Sequence, residues 1–163
     1  MPEKKTVQRA RKAKRAGKSA STQAGEFVRE EIHHVREGKH GARSSKQAIA
    51  IGLSKARRAG VRLPPPKRGS RETKEQAARD TARGRKGPRK ASPRRSRAVR
   101  EALQHEGRAA ASSTALSRQA RRSAVQRGAA ARKRAARKAV RTKGPAVRRQ
   151  AAKKAARTRA RRR

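Results

Sequence analysis

Apolar residues are sparse along the chain and gather between residues 27 and 63. Val28, Ile32 and Val35 recur at i, i+4 and i+7, one face of a helix, and Phe27 widens that stripe. Arg29, Glu30 and Arg36 fall on the opposite face. Ser21 or Thr22 can cap this helix, which is predicted to run to about Glu37 and stop at Gly38. A loop, Gly38 to Arg43, leads to a second element that starts from Ser44 or Ser45 and ends at Gly60. Within it Ile49, Ile51 and Leu53 alternate as in a strand, whereas Ile49, Leu53 and Ala56 share one helix face. The serine cap, the alanines, the length and the basic end Lys55-Ala56-Arg57-Arg58 favour a helix. Ile51 then lies off the stripe and needs a second contact, such as Val61 or Leu63.

The expected folded part is therefore an αα-hairpin over residues 21–63, with Phe27, Val28, Ile32, Val35, Ile49 and Leu53 as its core. Each of these contributes roughly 1.5–3 kcal/mol when well buried. That is comparable with the entropy lost on ordering so short a segment, so a homodimer contact or a protein partner is expected to complete it.

Beyond residue 63 the periodicity fades. Pro64-Pro65-Pro66-Lys67-Arg68-Gly69 reads as a stiff linker and marks the main boundary. The chain divides into a basic N-terminal arm (1–20), the hairpin (21–63), a Pro/Gly/basic linker (64–95) and an Arg/Lys/Ala-rich tail (96–163). Within the tail, Ser96 can cap a short stretch bearing Val99, Ala102 and Leu103 before Gly107. Ser112 or Ser113 can start another that ends at Gly128. A third runs from Ala129 to Lys143, stops at Gly144-Pro145, and is followed by a last one. Residues 135–142 (Ala-Ala-Arg-Lys-Ala-Val-Arg-Thr) return as 151–158 (Ala-Ala-Lys-Lys-Ala-Ala-Arg-Thr), an imperfect repeat offset by 16 residues.

Charge changes this picture more than any motif does. The chain has 52 Lys and Arg against 10 Asp and Glu, a formal net charge of +42. Residues 1–63 carry 17 basic and 5 acidic side chains, residues 64–163 carry 35 and 5, and no acid follows Glu106. High charge with low hydrophobicity opposes a packed core. In the tail, like charges at i, i+4 (Arg137 and Arg141, Lys153 and Arg157) oppose helix in water. The fold class expected is mainly α: a small αα-hairpin followed by a largely disordered or extended-helical basic tail, which becomes helical when phosphates neutralise it.

Such a chain needs a polyanionic partner. A membrane is disfavoured, because the basic stretches lack Leu, Phe or Trp to insert and no apolar run approaches the ~20 residues of a spanning helix. No apolar leader follows the N-terminus and there is no cysteine, which fits a cytoplasmic, nucleoid-associated location. DNA is favoured over RNA as partner. A net charge of +42 matches roughly 70 Å of duplex, since DNA carries one phosphate per ~1.7 Å. Arg outnumbers Lys by 35 to 17, and its planar fork pairs bidentately with phosphate. The candidate nucleic-acid-binding residues are Arg94, Arg95, Arg121, Arg122, Arg132, Lys133, Arg134, Arg137, Lys138, Arg141, Arg148, Arg149, Lys153, Lys154, Arg157 and Arg161. Ser92-Pro93-Arg94-Arg95 has the form of a turn able to lie in a minor groove; a linker serine beside a proline is the plainer reading. Sequence readout is not expected: C2H2 spacing, RNA-recognition aromatics and a KH loop are lacking, and Phe27 is the single aromatic residue.

His33, His34, His40 and Glu37 cluster within eight residues and have the chemistry of zinc or nickel ligands. Adjacent His33 and His34 point in different directions on a helix, and a second ligand cluster is lacking. They read instead as solvated histidines complementing a helix C-terminus, so no metal and no cofactor is expected. Ser44-Ser45 and Ser112-Ser113 read as helix caps rather than nucleophiles, and no enzymatic site is expected. Glu26, Glu30, Glu31 and Glu37 make the first helix the most acidic part of the chain, suited to a protein or to the chain's own tail.

Val35-Arg36-Glu37-Gly38-Lys39 followed by Ser45-Lys46-Gln47-Ala48-Ile49-Ala50-Ile51-Gly52-Leu53-Ser54-Lys55-Ala56 resembles an uncharacterised bacterial family of small basic proteins. That resemblance implies a bacterial source and no particular activity. The tail resembles, in composition, the basic tails of linker histones and bacterial histone-like proteins. Sequence-nonspecific DNA binding of a histone-like kind is the leading expectation. An RNA- or ribosome-associated protein is the second. A protein-interaction adaptor of the plasmid-maintenance or antitoxin type, working through the hairpin, is the third.

Overall fold

A computed structural model describes residues 2–87 and 92–161. Residue 1 of the arm, residues 88–91 of the expected linker and residues 162–163 of the tail lie outside the described residues. The elements are all helical: α1 (Lys4–Arg15), α2 (Ala20–Arg36), α3 (Ser45–Arg58), α4 (Arg71–Arg85), α5 (Pro93–Gln104), a 3-10 turn (Ala109–Ala111), α6 (Ser113–Gln126) and α7 (Gly128–Ala160). Among the described residues no strand forms, so the alternation of Ile49, Ile51 and Leu53 is carried on a helix. The chain is mainly α. It divides into two compact units, one ending at Gln119 and the other beginning at Ala120.

The hairpin is present with shifted edges. α2 starts earlier than Ser21 or Thr22 because Ser19 is its cap, its Oγ accepting from Thr22 N at 3.4 Å. Ser44 caps α3, accepting from Gln47 N at 3.2 Å. Ser45 is instead buried and donates to the Ala110 carbonyl at 2.6 Å.

The contact between α2 and α3 is tighter than an Ile/Leu seam allows. Phe27, Ile32 and Val35 of α2 are buried, but Ile49 and Leu53 of α3 are only half-buried, as is Val28. The buried stripe of α3 is Ala48, Gly52 and Ala56. A Cβ built on Gly52 would sit 2.6 Å from Val28 Cα, so the two backbones touch and only glycine fits between them. Ile49 and Leu53 flank this line instead of forming it.

The completion that the hairpin needs comes from its own chain. The N-terminal arm is helical: α1 buries Thr6 and packs Val7 and Ala10 with Phe27, Ala24, Ala56 and Val61. Val61 and Leu63 fold back onto this same cluster, after Gly60 at φ +86° turns the chain out of α3. At the other end Ile32, Val35, Ala42 and Ala48 are covered by Ala110, Ala111 and Leu116. Backbone bonds from Gly41 N to Leu103 O (2.8 Å) and Ala42 N to Gly107 O (3.0 Å) fasten that segment. The region expected to be linker contains α4, which buries Ala77 and Asp80 against α3; Ser54 Oγ donates to Asp80 Oδ2.

Ser92-Pro93 starts α5 rather than forming a groove-binding turn, and Ser96 lies inside the helix. Proline is well suited to a first helical position, where its fixed φ helps and its missing N–H costs nothing. The described tail is helical, not disordered. Alanine, arginine and lysine are strong helix formers, and like-charge pairs at i, i+4 subtract only about 0.2–0.5 kcal/mol each. Within α7, Gly144 has φ 64° and ψ 169°, so two helical runs, 128–143 and 145–160, meet at a break. Gly128 also has a positive φ, 76°. The two copies of the repeat, 135–142 and 151–158, thus each lie downstream of a glycine with positive φ, a geometry that side chains resist.

Replacing Gly52 by valine is expected to destabilise the folded unit by about 1–3 kcal/mol through overpacking. Gly25 lies on α2 with open space around it, and Gly25→Ala is expected to stabilise by about 0.5–1 kcal/mol. Urea midpoints of the two variants, moving in opposite directions, check the helix contact.

Candidate nucleic-acid interface

An interface for a polyanion requires that carboxylates be kept away from it. On α2 three of them turn inward. Glu31 is fully buried, with Oε2 2.5 Å from Lys55 Nζ of α3 and Oε1 3.2 Å from His40 Nε2. Glu30 is buried as well and accepts the Glu3 backbone N–H at 3.0 Å. Glu26 Oε2 forms an ion pair with Arg9 Nε of α1 at 2.9 Å. Asp80 of α4, also buried, faces Arg58 Nε at 3.6 Å. The acidic face expected to greet a protein partner or the tail is thus largely consumed by cations of α1 and α3. Helical periodicity alone places Glu30 outward; the start of α1, through the Glu3 N–H, covers it.

The histidines separate in the same way. His33 is exposed, and Glu37 pairs with Lys39 at 3.0 Å on the surface. His34 and His40 turn inward, each side chain 14% exposed, their ring centroids 6.1 Å apart and nearly perpendicular. They are not the solvated helix-end histidines expected. His34 Nε2 lies 3.0 Å from Glu3 Oε1 and 4.0 Å from Glu30 Oε1. The residues the four-residue cluster missed are Glu30 and Glu31, whose i, i+4 and i, i+3 spacing to His34 was the available signal.

Two groups around this cluster have displaced proton affinities. The Glu3 carboxyl is held below the ordinary glutamate value, chiefly by its hydrogen bond with His34; desolvation opposes this, and the charges of His34 and Lys39 add to it. The Lys39 ammonium is raised, chiefly by its hydrogen bond to Glu37, with desolvation opposing and the charges of Glu37 and Glu3 assisting.

Outside, the cations are presented to solvent. Arg94 and Arg95 stand exposed in the first turn of α5, and Arg121 and Arg122 on α6. Arg132, Lys133, Arg134, Arg137, Lys138 and Arg141 are exposed on the first run of α7. Arg148, Arg149, Lys153, Lys154 and Arg157 are exposed on the second, and Arg161 caps its end. The repeat puts Arg132, Lys133, Arg137, Lys138 and Arg141 in register with Arg148, Arg149, Lys153, Lys154 and Arg157. At 100° per residue each set surrounds its helix rather than forming one stripe. α7 carries no acidic residue.

Lys55→Met is expected to lower stability by about 3–5 kcal/mol, because Glu31 would remain buried without its cation. Arg9→Ala, at a pair whose arginine is 42% exposed, is expected to cost no more than about 1 kcal/mol. Denaturation midpoints compared between the two variants test which pairing holds the unit together.

Among the described residues no helix is long and apolar enough to cross a membrane. Comparison with curated proteins and with solved structures finds no match. Residues 11–68, from within α1 through α2 and α3 into the segment before α4, match the model of a family described as a family of unknown function (DUF6496), in keeping with the expectation of an uncharacterised family.

Proposed function

We propose that the protein is a non-enzymatic, sequence-nonspecific nucleic-acid-binding protein of histone-like character, with duplex DNA as its preferred partner and the nucleoid as its place of action. The observation that carries this reading is the acid-free helix α7, on which every lysine and arginine assigned to binding is exposed. Counterion release from phosphate supplies the affinity, and the exposed guanidinium groups supply bidentate contacts. The cations surround the helix, so the surface offers charge without a fixed register against base edges. Phe27, the lone aromatic, is 1% exposed and gives no platform for stacked bases, which weighs against single-stranded RNA. The adaptor reading loses its main support, since the carboxylates that suggested it are largely paired internally.

Replacing Arg132, Lys133, Arg137, Lys138 and Arg141 together by glutamine in the full chain is expected to weaken duplex binding equally across sequences. The slope of log affinity against log salt should fall by about 0.9 for every phosphate that the variant no longer neutralises. Fluorescence anisotropy over a salt series measures both. An unchanged slope, or weakening confined to particular sequences, would overturn the reading, and preferential displacement by structured RNA would move it to RNA.

A further inference from the structure

We propose that Glu31, His34 and His40 form a binding site for a divalent transition-metal ion of the zinc class. The proposal is independent of nucleic-acid binding and concerns the folded unit alone. One carboxylate oxygen of Glu31 and one ring nitrogen each of His34 and His40 lie within 4.8 Å of one another, and Glu3, Glu30 and His34 form a second such set sharing His34. Tetrahedral zinc, with ligands at ~2.0–2.2 Å, separates its donor atoms by roughly 3.3 Å. Glu31 Oε1 and His40 Nε2 are 3.2 Å apart, and His34 Nε2 and Glu30 Oε1 are 4.0 Å apart.

His34 Nε2 meets Glu3 Oε1 at 3.0 Å, but two carboxylate oxygens there lack a donor. Glu30 Oε2 and Glu31 Oε1 are buried without a hydrogen bond, although the two side chains are only 2% and 1% exposed. Leaving such oxygens unsatisfied is costly. His40 Nδ1 lies 2.9 Å from the Gly41 carbonyl, which can only accept, so Nδ1 carries the hydrogen. In the neutral ring, Nε2 then presents a lone pair to Glu31 Oε1, and two acceptors face each other across 3.2 Å. Something positive must lie between them. A ring nitrogen oriented by a backbone carbonyl, with the other nitrogen pointed at a carboxylate cluster, is the arrangement metal-binding histidines use. Lys55 holds the opposite oxygen of Glu31, Oε2, and Lys39 sits on the outer Glu3, so neither fills the space. The mixed imidazole and carboxylate donors suit a borderline dication better than calcium or magnesium, which take oxygen ligands.

The rival occupant is a proton, with His40 as imidazolium. Titrating the full chain with Co2+ separates the two: one saturable equivalent with the visible absorption of a four-coordinate site, displaced by Zn2+, is expected. Absence of that saturable equivalent in the folded protein overturns the metal site in favour of the proton. In 15N-resolved spectra of the full chain with one equivalent of Zn2+, the rings of His34 and His40 should shift while those of His33 and His105 stay in place. The opposite pattern overturns the proposal and needs no variant that has to fold. His34→Ala and His40→Ala should each weaken Co2+ binding by at least ~10-fold, with His33→Ala unchanged; equal affinity in all three overturns it.

Discussion

Glu31 sits fully buried on α2 with its carboxylate against Lys55 of α3, and the packing of the folded unit is arranged around that ion pair. The reason lies in the composition. In a chain of net charge +42, compaction is opposed by self-repulsion, and a carboxylate placed inside offsets several cations at once. Glu26, Glu30, Glu31 and Asp80 are used in this way, drawing in Arg9, the start of α1, Lys55 and Arg58. The pairing also specifies which helices meet, because an uncompensated carboxylate in that interior would be far more costly than an unmade surface contact.

The ion pair forms only because the backbones are close. Ala48, Gly52 and Ala56 remove bulk from the face of α3 that meets α2, and Gly52 lies against the backbone at Phe27 and Val28. Large side chains on that line would hold the helices apart. Apolar burial is then distributed to the two ends of the contact, around Phe27 and around Val35, and closed by α1 on one side and by residues 110–116 on the other.

The two parts of the molecule follow opposite rules. In the folded unit acids are scarce, and Glu30, Glu31 and Asp80 are buried while others stay at the surface; in α7 acids are absent, and helix formation proceeds from alanine-rich local propensity despite repulsion. Glycines 128 and 144 divide that region into two basic runs of equal length, so α7 is broken at Gly144 rather than continuous.

The hairpin, its two helices, its loop and the buried Phe27, Ile32 and Val35 were legible in the sequence, since a 3.6-residue period of apolar side chains needs no tertiary information to be read. So was the exposure of the tail's described arginines and lysines, because no acidic side chain follows Glu106 to pair with them locally. Local pattern could not reveal that α1 and α4 would be packed helices, as Thr6, Ala10 and Ala77 carry too little hydrophobicity to mark a face. Nor could it show that Ala48, Gly52 and Ala56 would displace Ile49 and Leu53 from the centre of the contact, since which stripe is buried depends on how near the partner backbone comes. The inward turn of Glu30, Glu31, His34 and His40 has the same origin. The sequence by itself determined that this protein is strongly basic and mainly α, with a helical hairpin carrying most of its large apolar side chains. Only the tertiary structure decided which few acidic and imidazole groups that core encloses, because burial of a charge depends on a partner delivered from a distant segment.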